Sequence, residues 1–218
     1  AQSSPFAVTL SLSRFVYEPG VPISFTITVR NTSSEPVTVV FLGSQRFDLT
    51  LRSEESGEVI RWSSGRSFTQ EQSNQRWEPG QSRTFTETWV PLAASSPGQA
   101  SAAPRPISSG VFQISAQLAG LTHKATSRPE TIVIGEAVSL PAGCTTLAEG
   151  AGANVSASLL GRLIQPAVAL QTVWQALPIT GAYVAFSPRL PRISNLTVIS
   201  QDVPVTICLT ANAQITLP

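Results

Sequence analysis

Gln45-Arg46-Phe47-Asp48-Leu49, Arg61-Trp62-Ser63, Phe68-Thr69-Gln70, Trp77-Glu78-Pro79-Gly80 and Glu87-Thr88-Trp89 mark out residues 45–89, the stretch whose reading decides the fold. Three of the chain's 4 tryptophans fall in it, although aromatics make up only 7% of residues. Short polar runs with turn chemistry separate the pieces, which predicts strands threaded through one aromatic-rich core and no helix. Trp62, Trp77 and Trp89 sit at strand spacing and are expected to fill that core sooner than to form an exposed sugar-stacking platform.

Working outward, the same period of two recurs. Phe47, Leu49 and Leu51 alternate with Arg46, Asp48, Thr50 and Arg52, a strand with one buried face. Phe6, Val8, Leu10 and Leu12 alternate likewise, as do Ile23, Phe25, Ile27 and Val29. Val37 to Leu42 is dominated by β-branched residues, and Val59–Trp62, Phe68–Gln70 and Phe85–Trp89 read as further short strands. Glu18-Pro19-Gly20 and Glu78-Pro79-Gly80 are the same turn used twice: proline pre-sets φ at the first turn position, and glycine supplies the positive φ a type II turn requires at the second. Val111 to Leu118 and Thr131 to Ile134 complete eight or nine strands, which predicts a two-sheet antiparallel β-sandwich. Between them, Val90 to Ser109 scatters Pro91, Pro97, Pro104 and Pro106 among small residues and is expected to be a long exposed loop.

Beyond Gly135–Pro141 the charge density falls and both cysteines appear. Residues 1–136 are therefore expected to form the sandwich and residues 137–218 a smaller β-rich module. Val155 to Ile164 carries one possible helical face, which Pro166 would stop; Val168–Leu177, Ala182–Phe186, Val203–Leu209 and Ile215–Leu217 read as strands. With 2 cysteines in the chain, Cys144 and Cys208 fit one disulfide in an oxidising compartment, the alternative being two buried thiols. A module of this size has a small core, and closing that loop would stabilise it by about 4 kcal/mol through the entropy of the unfolded chain. A start at Ala1-Gln2-Ser3 with no methionine suits a chain whose signal peptide has been removed, or one that was trimmed, and leads to the expectation of a secreted or cell-surface protein.

Composition narrows function chiefly by exclusion. A hydrophobic content of 42% with 12% charged residues suits a folded core, and a net charge of +1 provides no field for nucleic acid or an anionic membrane surface. No apolar run is long enough to cross a membrane as a helix. The single histidine, His123, lies in a polar turn without a nucleophile elbow or a nearby cysteine and reads as a surface residue. With only His123, Cys144 and Cys208 as soft ligands, zinc is not expected, and Glu54, Glu55 and Glu58 lack the alternation of a calcium loop and read as a solvated hairpin. No catalytic residue, metal or cofactor is therefore expected. Asp48 is expected to be structural, pairing with Arg46 or Arg61 or accepting backbone N–H bonds. The sequons at Asn31, Asn154 and Asn195 are read as chance matches.

Thr28-Val29-Arg30-Asn31-Thr32, Gln45-Arg46-Phe47-Asp48, Gly57 to Ser63, Phe68-Thr69-Gln70, Glu78-Pro79-Gly80, Thr84 to Trp89 and Gly110 to Ile114 follow one another in the order found in the BsuPI-type proteinase inhibitor domain, which the region from Phe6 to Leu118 resembles. The resemblance implies an immunoglobulin-like sandwich, a protein partner and inhibition of a subtilisin-type serine protease. It carries over no inhibitory residue. Relatives close the gap after Glu-Thr-Trp with a short connection, whereas here Val90–Ser109 intervenes, and an extended, proline-stiffened loop is a shape a protease cleft accepts. The candidate partner-binding residues are accordingly Ser63, Ser64, Gly65 and Arg66 in the turn after Trp62, and Ala94, Ser95, Pro97, Pro104 and Arg105 in the loop. The pattern around Trp174, Tyr183 and Cys208 is similar to small modules at the ends of secreted bacterial proteins, and the alternative role is an extracellular adhesion or surface-assembly module with no protease target.

Overall fold

The computed structural model describes residues 4–93, 105–147, 154–177, 180–200 and 203–217. Two compact units divide the chain: one comprises Ala1–Arg14, Gly20–Ile107 and Phe112–Ile132, the other Phe15–Pro19, Ser108–Val111 and Val133–Pro218. They are called here the N-terminal and C-terminal units.

The strands of the first half are β1 (Phe6–Leu12), β2 (Val16–Tyr17), β3 (Ile23–Asn31), β4 (Val37–Phe41), β5 (Phe47–Ser53), β6 (Val59–Arg61), β7 (Ser73–Trp77), β8 (Ser82–Trp89), β9 (Gly110–Leu118) and β10 (Glu130–Ile134). In the N-terminal unit one antiparallel sheet has the order β1-β3-β8 and a second runs β10-β9-β5-β6, with β4 and β7 forming a ribbon. The alternation read from sequence is the alternation of the pleat: Ile23, Phe25, Ile27 and Val29 on β3 are buried, as are Leu49 and Leu51 on β5 and Ile114, Ala116 and Leu118 on β9. The two sheets meet through aromatic rings. Phe47 of β5 lies 5.9 Å from Phe25 of β3 and 5.4 Å from Phe85 of β8. Trp77 is wholly buried and packs edge-on against Phe6 at 5.3 Å. The unit is an immunoglobulin-like antiparallel β-sandwich, and strands are the dominant secondary structure of the described residues.

Both Glu-Pro-Gly turns have the backbone their sequence requires, with φ of +80° at Gly20 and +75° at Gly80. Phe68–Gln70, expected as a strand, is not one. Phe68 packs against Trp62 at 5.9 Å, while Thr69 is tied to Ser44, its N–H donating to Ser44 Oγ and its carbonyl accepting from the Ser44 N–H. A side chain at Gly43 would place its Cβ 2.2 Å from that carbonyl, so the approach requires glycine there. The ladder begins later, at β7, a segment without the apolar alternation that marks a strand in sequence.

In the C-terminal unit, Val16–Tyr17 pairs in parallel with Val133–Ile134. The remaining strands are β11 (Glu136–Leu140), β12 (Gly143–Leu147), β13 (Val155–Ser156), β14 (Ile164–Gln165), β15 (Leu170–Ala176), β16 (Tyr183–Phe186), β17 (Val198–Ile199), β18 (Val205–Leu209) and β19 (Ala213–Leu217). They form sheets of order β11-β19-β14 and β12-β18-β15-β16 and a short β13-β17 pair. The buried members of this core are all aliphatic, among them Leu160, Leu163, Ile164, Val173, Val205, Ile207 and Ile215.

The helix read over residues 155–164 shrinks to a 3₁₀ turn at Ala157–Leu159 and one α turn, α1 (Leu160–Leu163). The predicted apolar face is real: Val155, Leu160, Leu163 and Ile164 are buried. Its two ends, however, are captured as strands, β13 by β17 and β14 by β19, which leaves one turn between them. Cys144 and Cys208 face each other across the β12–β18 ladder and are joined as a disulfide with Cα atoms 4.0 Å apart, so the buried-thiol alternative is set aside.

Candidate functional site

The sequence motifs that run through the N-terminal unit meet as structural ties. Asn31 is wholly buried. Its Nδ2 donates to the carbonyls of Glu35 at 3.0 Å, Trp77 at 3.0 Å and Glu78 at 3.2 Å, and its Oδ1 accepts from the N–H and hydroxyl of Ser33. The main chain of Asn31 also bonds Gln81 and Gly80. One amide thus locks the end of β3 onto the Glu78-Pro79-Gly80 turn, and its burial removes Asn31 as a glycan acceptor.

Asp48 does the same for the turn after Trp62. One carboxylate oxygen accepts the Ser63 N–H at 3.0 Å and the other accepts the Ser63 hydroxyl at 2.8 Å. Arg61 stands 3.6 Å away and is the ion-pair partner. Arg46, the other candidate, instead donates to the Gly43 carbonyl and lies over the Phe41 ring at 4.6 Å. The turn is closed by Ser64 N–H to the Arg61 carbonyl and Arg66 N–H to the Ser63 carbonyl, both 3.1 Å, with φ of +75° at Gly65. A carboxylate whose oxygens accept several bonds at a loop base fixes that loop's exit direction, so Ser63–Arg66 is preorganised. Arg66 lies over Trp62 with its guanidinium carbon 4.2 Å from the ring centroid.

Beside this turn is a groove of about 480 Å³. It is lined by Ile60, Arg61, Trp62, Ser64 and Arg66 from the β6 end and turn, by Thr88, Trp89, Val90 and Leu92 from the β8 end and the chain after it, and by Pro22. β6 is the last strand of its sheet and β8 the last of the other, so the groove opens where the sandwich presents two edges. Of the sequence-predicted partner residues, Ser64, Gly65 and Arg66 are exposed here and Ser63 is half-buried. Arg105 is exposed; Ala94, Ser95, Pro97 and Pro104 lie outside the described residues. The loop's described ends form a neck. Leu92 bridges Pro106, the Ala93 N–H donates to the Arg105 carbonyl at 2.9 Å, and the Ile107 N–H to the Pro91 carbonyl at 3.4 Å. Ile107 is buried, which anchors that neck in the core.

Thr88 and Leu92 are not among the residues singled out from sequence, and Trp89 was weighed there only as core or as part of a sugar-stacking platform. Leu92 carries the one signal sequence offered, a large apolar residue inside a proline-rich loop. The remaining chemistry-bearing residues gather nowhere. His123 bonds Thr122 and meets Phe6 edge-on at 5.9 Å, and no group of three His, Cys, Asp or Glu that could hold a metal occurs among the described residues. No helix of the described residues is long and apolar enough to cross a membrane.

Two facing antiparallel sheets with an edge groove define the class, an immunoglobulin-like β-sandwich. The family follows from comparison with known proteins: the model of the BsuPI intracellular proteinase inhibitor family matches residues 10–122, just over half of the chain, which belongs to that family. No curated protein matches the chain. Among solved structures, the sporulation control protein Spo0M of Bacillus subtilis is 13% identical over 61% of this chain and 50% of its own, with a TM-score of 0.36. A β-glucosidase of Erythrobacter marinus is 14% identical over 60% of this chain and 15% of its own, with a TM-score of 0.37. A CARDB domain of Pyrococcus furiosus is 11% identical over 60% of this chain and 88% of its own, with a TM-score of 0.30. The chain thus spans half the length of Spo0M and a small part of the glucosidase.

Proposed function

We propose that this chain inhibits a serine proteinase of the subtilisin type, presenting residues 94–104 to the proteinase cleft, and that it does so outside the cell or at its surface. Family membership supports inhibition in general. The observation that carries the finer reading is the neck. Pairing of Pro91–Ala93 with Arg105–Ile107 fixes both ends of the proline-containing segment on the sandwich, beside a turn held by Asp48. Fixing the ends of a binding loop removes part of the ordering cost of association, which is how a loop of modest contact area binds tightly. The Cys144–Cys208 disulfide supports an oxidising compartment.

The test is a variant in which residues 94–104 are replaced by a short glycine-serine link that leaves Ala93 and Arg105 in place. Inhibition of a subtilisin-type proteinase should fall at least a hundredfold while the thermal transition of the N-terminal unit is kept. Inhibition at the level of the intact chain would refute the loop's role.

A further inference from the structure

The groove beside that loop carries chemistry that the loop does not. Its charged lining consists of Arg61 and Arg66, with no carboxylate among the lining residues. Arg61 is partly neutralised by Asp48. Arg66 takes part in no ion pair among the described residues and is exposed, with its guanidinium carbon over the Trp62 ring, 4.2 Å from the centroid. Between the arginines and Trp89 the groove offers apolar surface, with Leu92 39% exposed at its rim. Trp and Arg are the residues that dominate binding energy at protein interfaces, and a guanidinium pre-stacked on a ring loses little freedom when it meets a carboxylate.

We propose that this groove is a docking site for an extended acidic segment of the partner proteinase, one that sets a carboxylate against Arg66 and an apolar side chain against Trp89 and Leu92. Charge complementarity selects this occupant. The neighbouring segment of the chain itself, Ala94-Ser95-Ser96-Pro97-Gly98-Gln99-Ala100-Ser101-Ala102-Ala103-Pro104, has no charged residue to offer the arginines. A nucleic acid is disfavoured because its affinity grows with the number of phosphates neutralised, and two arginines in a chain of net charge +1 supply few. The identity of the segment's owner rests on the inhibitory reading; the preference of the groove for an acidic apolar peptide does not.

Two synthetic hexapeptides with one Leu-Phe centre, flanked in one by Asp and Glu and in the other by Lys, distinguish the cases when titrated into the full chain and followed through the indole NMR signals of Trp62 and Trp89. The acidic peptide should bind about tenfold more tightly at low salt, lose that advantage as salt is raised, and lose it again in Arg66→Glu, whose cooperative melting transition serves as the check that the fold is kept. Leu92→Ala should weaken the acidic peptide without reversing the preference. Equal binding of the two peptides, binding of neither, or a preference that survives Arg66→Glu would overturn the proposal. Selective peptide binding by a chain that inhibits no proteinase would sink the inhibitory reading and leave the groove assignment standing. Inhibition that is indifferent to Arg66→Glu would do the reverse.

Discussion

The two units solve the same problem, burying one face of each sheet, with different materials. The N-terminal unit fills its sandwich with rings: Trp62, Trp77 and Trp89 are each no more than 6% exposed, Trp62 packs on Phe47, which also meets Phe25 and Phe85, and Trp77 packs on Phe6. The core cluster of the C-terminal unit is aliphatic; of its described aromatics only Tyr17 is buried, while Trp174 at 41% and Tyr183 at 71% lie exposed on β15 and β16. Stability in the first therefore rests on ring packing and buried polar ties, and in the second on many small contacts reinforced by a covalent link. Large rings bury much apolar area per residue, whereas a small aliphatic core gains more from constraining the unfolded chain.

That contrast is broken most severely by Trp77→Ala. Deleting the wholly buried indole should cost the N-terminal unit about 3–5 kcal/mol, read as a lowered denaturation midpoint for that unit, while the other unit's transition stays in place. Equal loss in both would show that the cores are not separate. Replacing Cys144 and Cys208 together by serine is the converse experiment. Opening a loop of sequence separation 64 should lower the stability of the C-terminal unit by about 2–4 kcal/mol, with no change in the melting of the N-terminal unit. Asn31→Ala comes next, at about 2 kcal/mol, because it removes the donor from three carbonyls around a wholly buried site; hydrogen exchange at the Glu78–Gly80 turn should rise first. Trp174→Ala sharpens the comparison from the other side. The same residue type deleted from an exposed strand position should shift stability by less than about 0.5 kcal/mol.

What sequence made legible follows the same division. In the N-terminal unit, strands with one buried face announce themselves by period two, so β1, β3, β5 and β9 stand where Phe6–Leu12, Ile23–Val29, Phe47–Leu51 and Val111–Leu118 alternate. The Glu-Pro-Gly turns are local chemistry and were equally plain. The C-terminal unit hides β11 and β12: Gly143-Cys144-Thr145-Thr146-Leu147 has no apolar alternation, because Thr146 pairs with Thr206 on an exposed face and Cys144 is spoken for by its disulfide. The apolar face over residues 155–164 was visible, but whether it belonged to a helix depended on β17 and β19, which lie far along the chain.

The candidate site was legible only in part for the same reason. The turn at Ser63–Arg66 could be read from its own residues. That Asp48, 15 positions earlier, would pair with Arg46 or Arg61 or accept backbone N–H bonds could be read from sequence, but not that the N–H and hydroxyl it accepts are those of Ser63. The groove requires Trp62, just after β6, to lie near Trp89 at the end of β8 and Leu92 beyond it, and no local pattern encodes that approach. Several of the motifs that identify the family, Asn31 with Glu78-Pro79-Gly80 and Asp48 with Trp62-Ser63, prove to be structural ties. They explain why the sandwich is recognisable, while the surface proposed here to meet a partner is the turn and the neck beside them.

The inhibitory account is tested most directly by titrating a subtilisin-type proteinase with the purified, disulfide-intact chain. The account predicts that residual proteinase activity falls linearly to zero at one chain per enzyme, with the N-terminal unit remaining whole. Undiminished activity, accompanied by cleavage of the chain within residues 94–104, would contradict it and reduce that segment to an ordinary substrate loop.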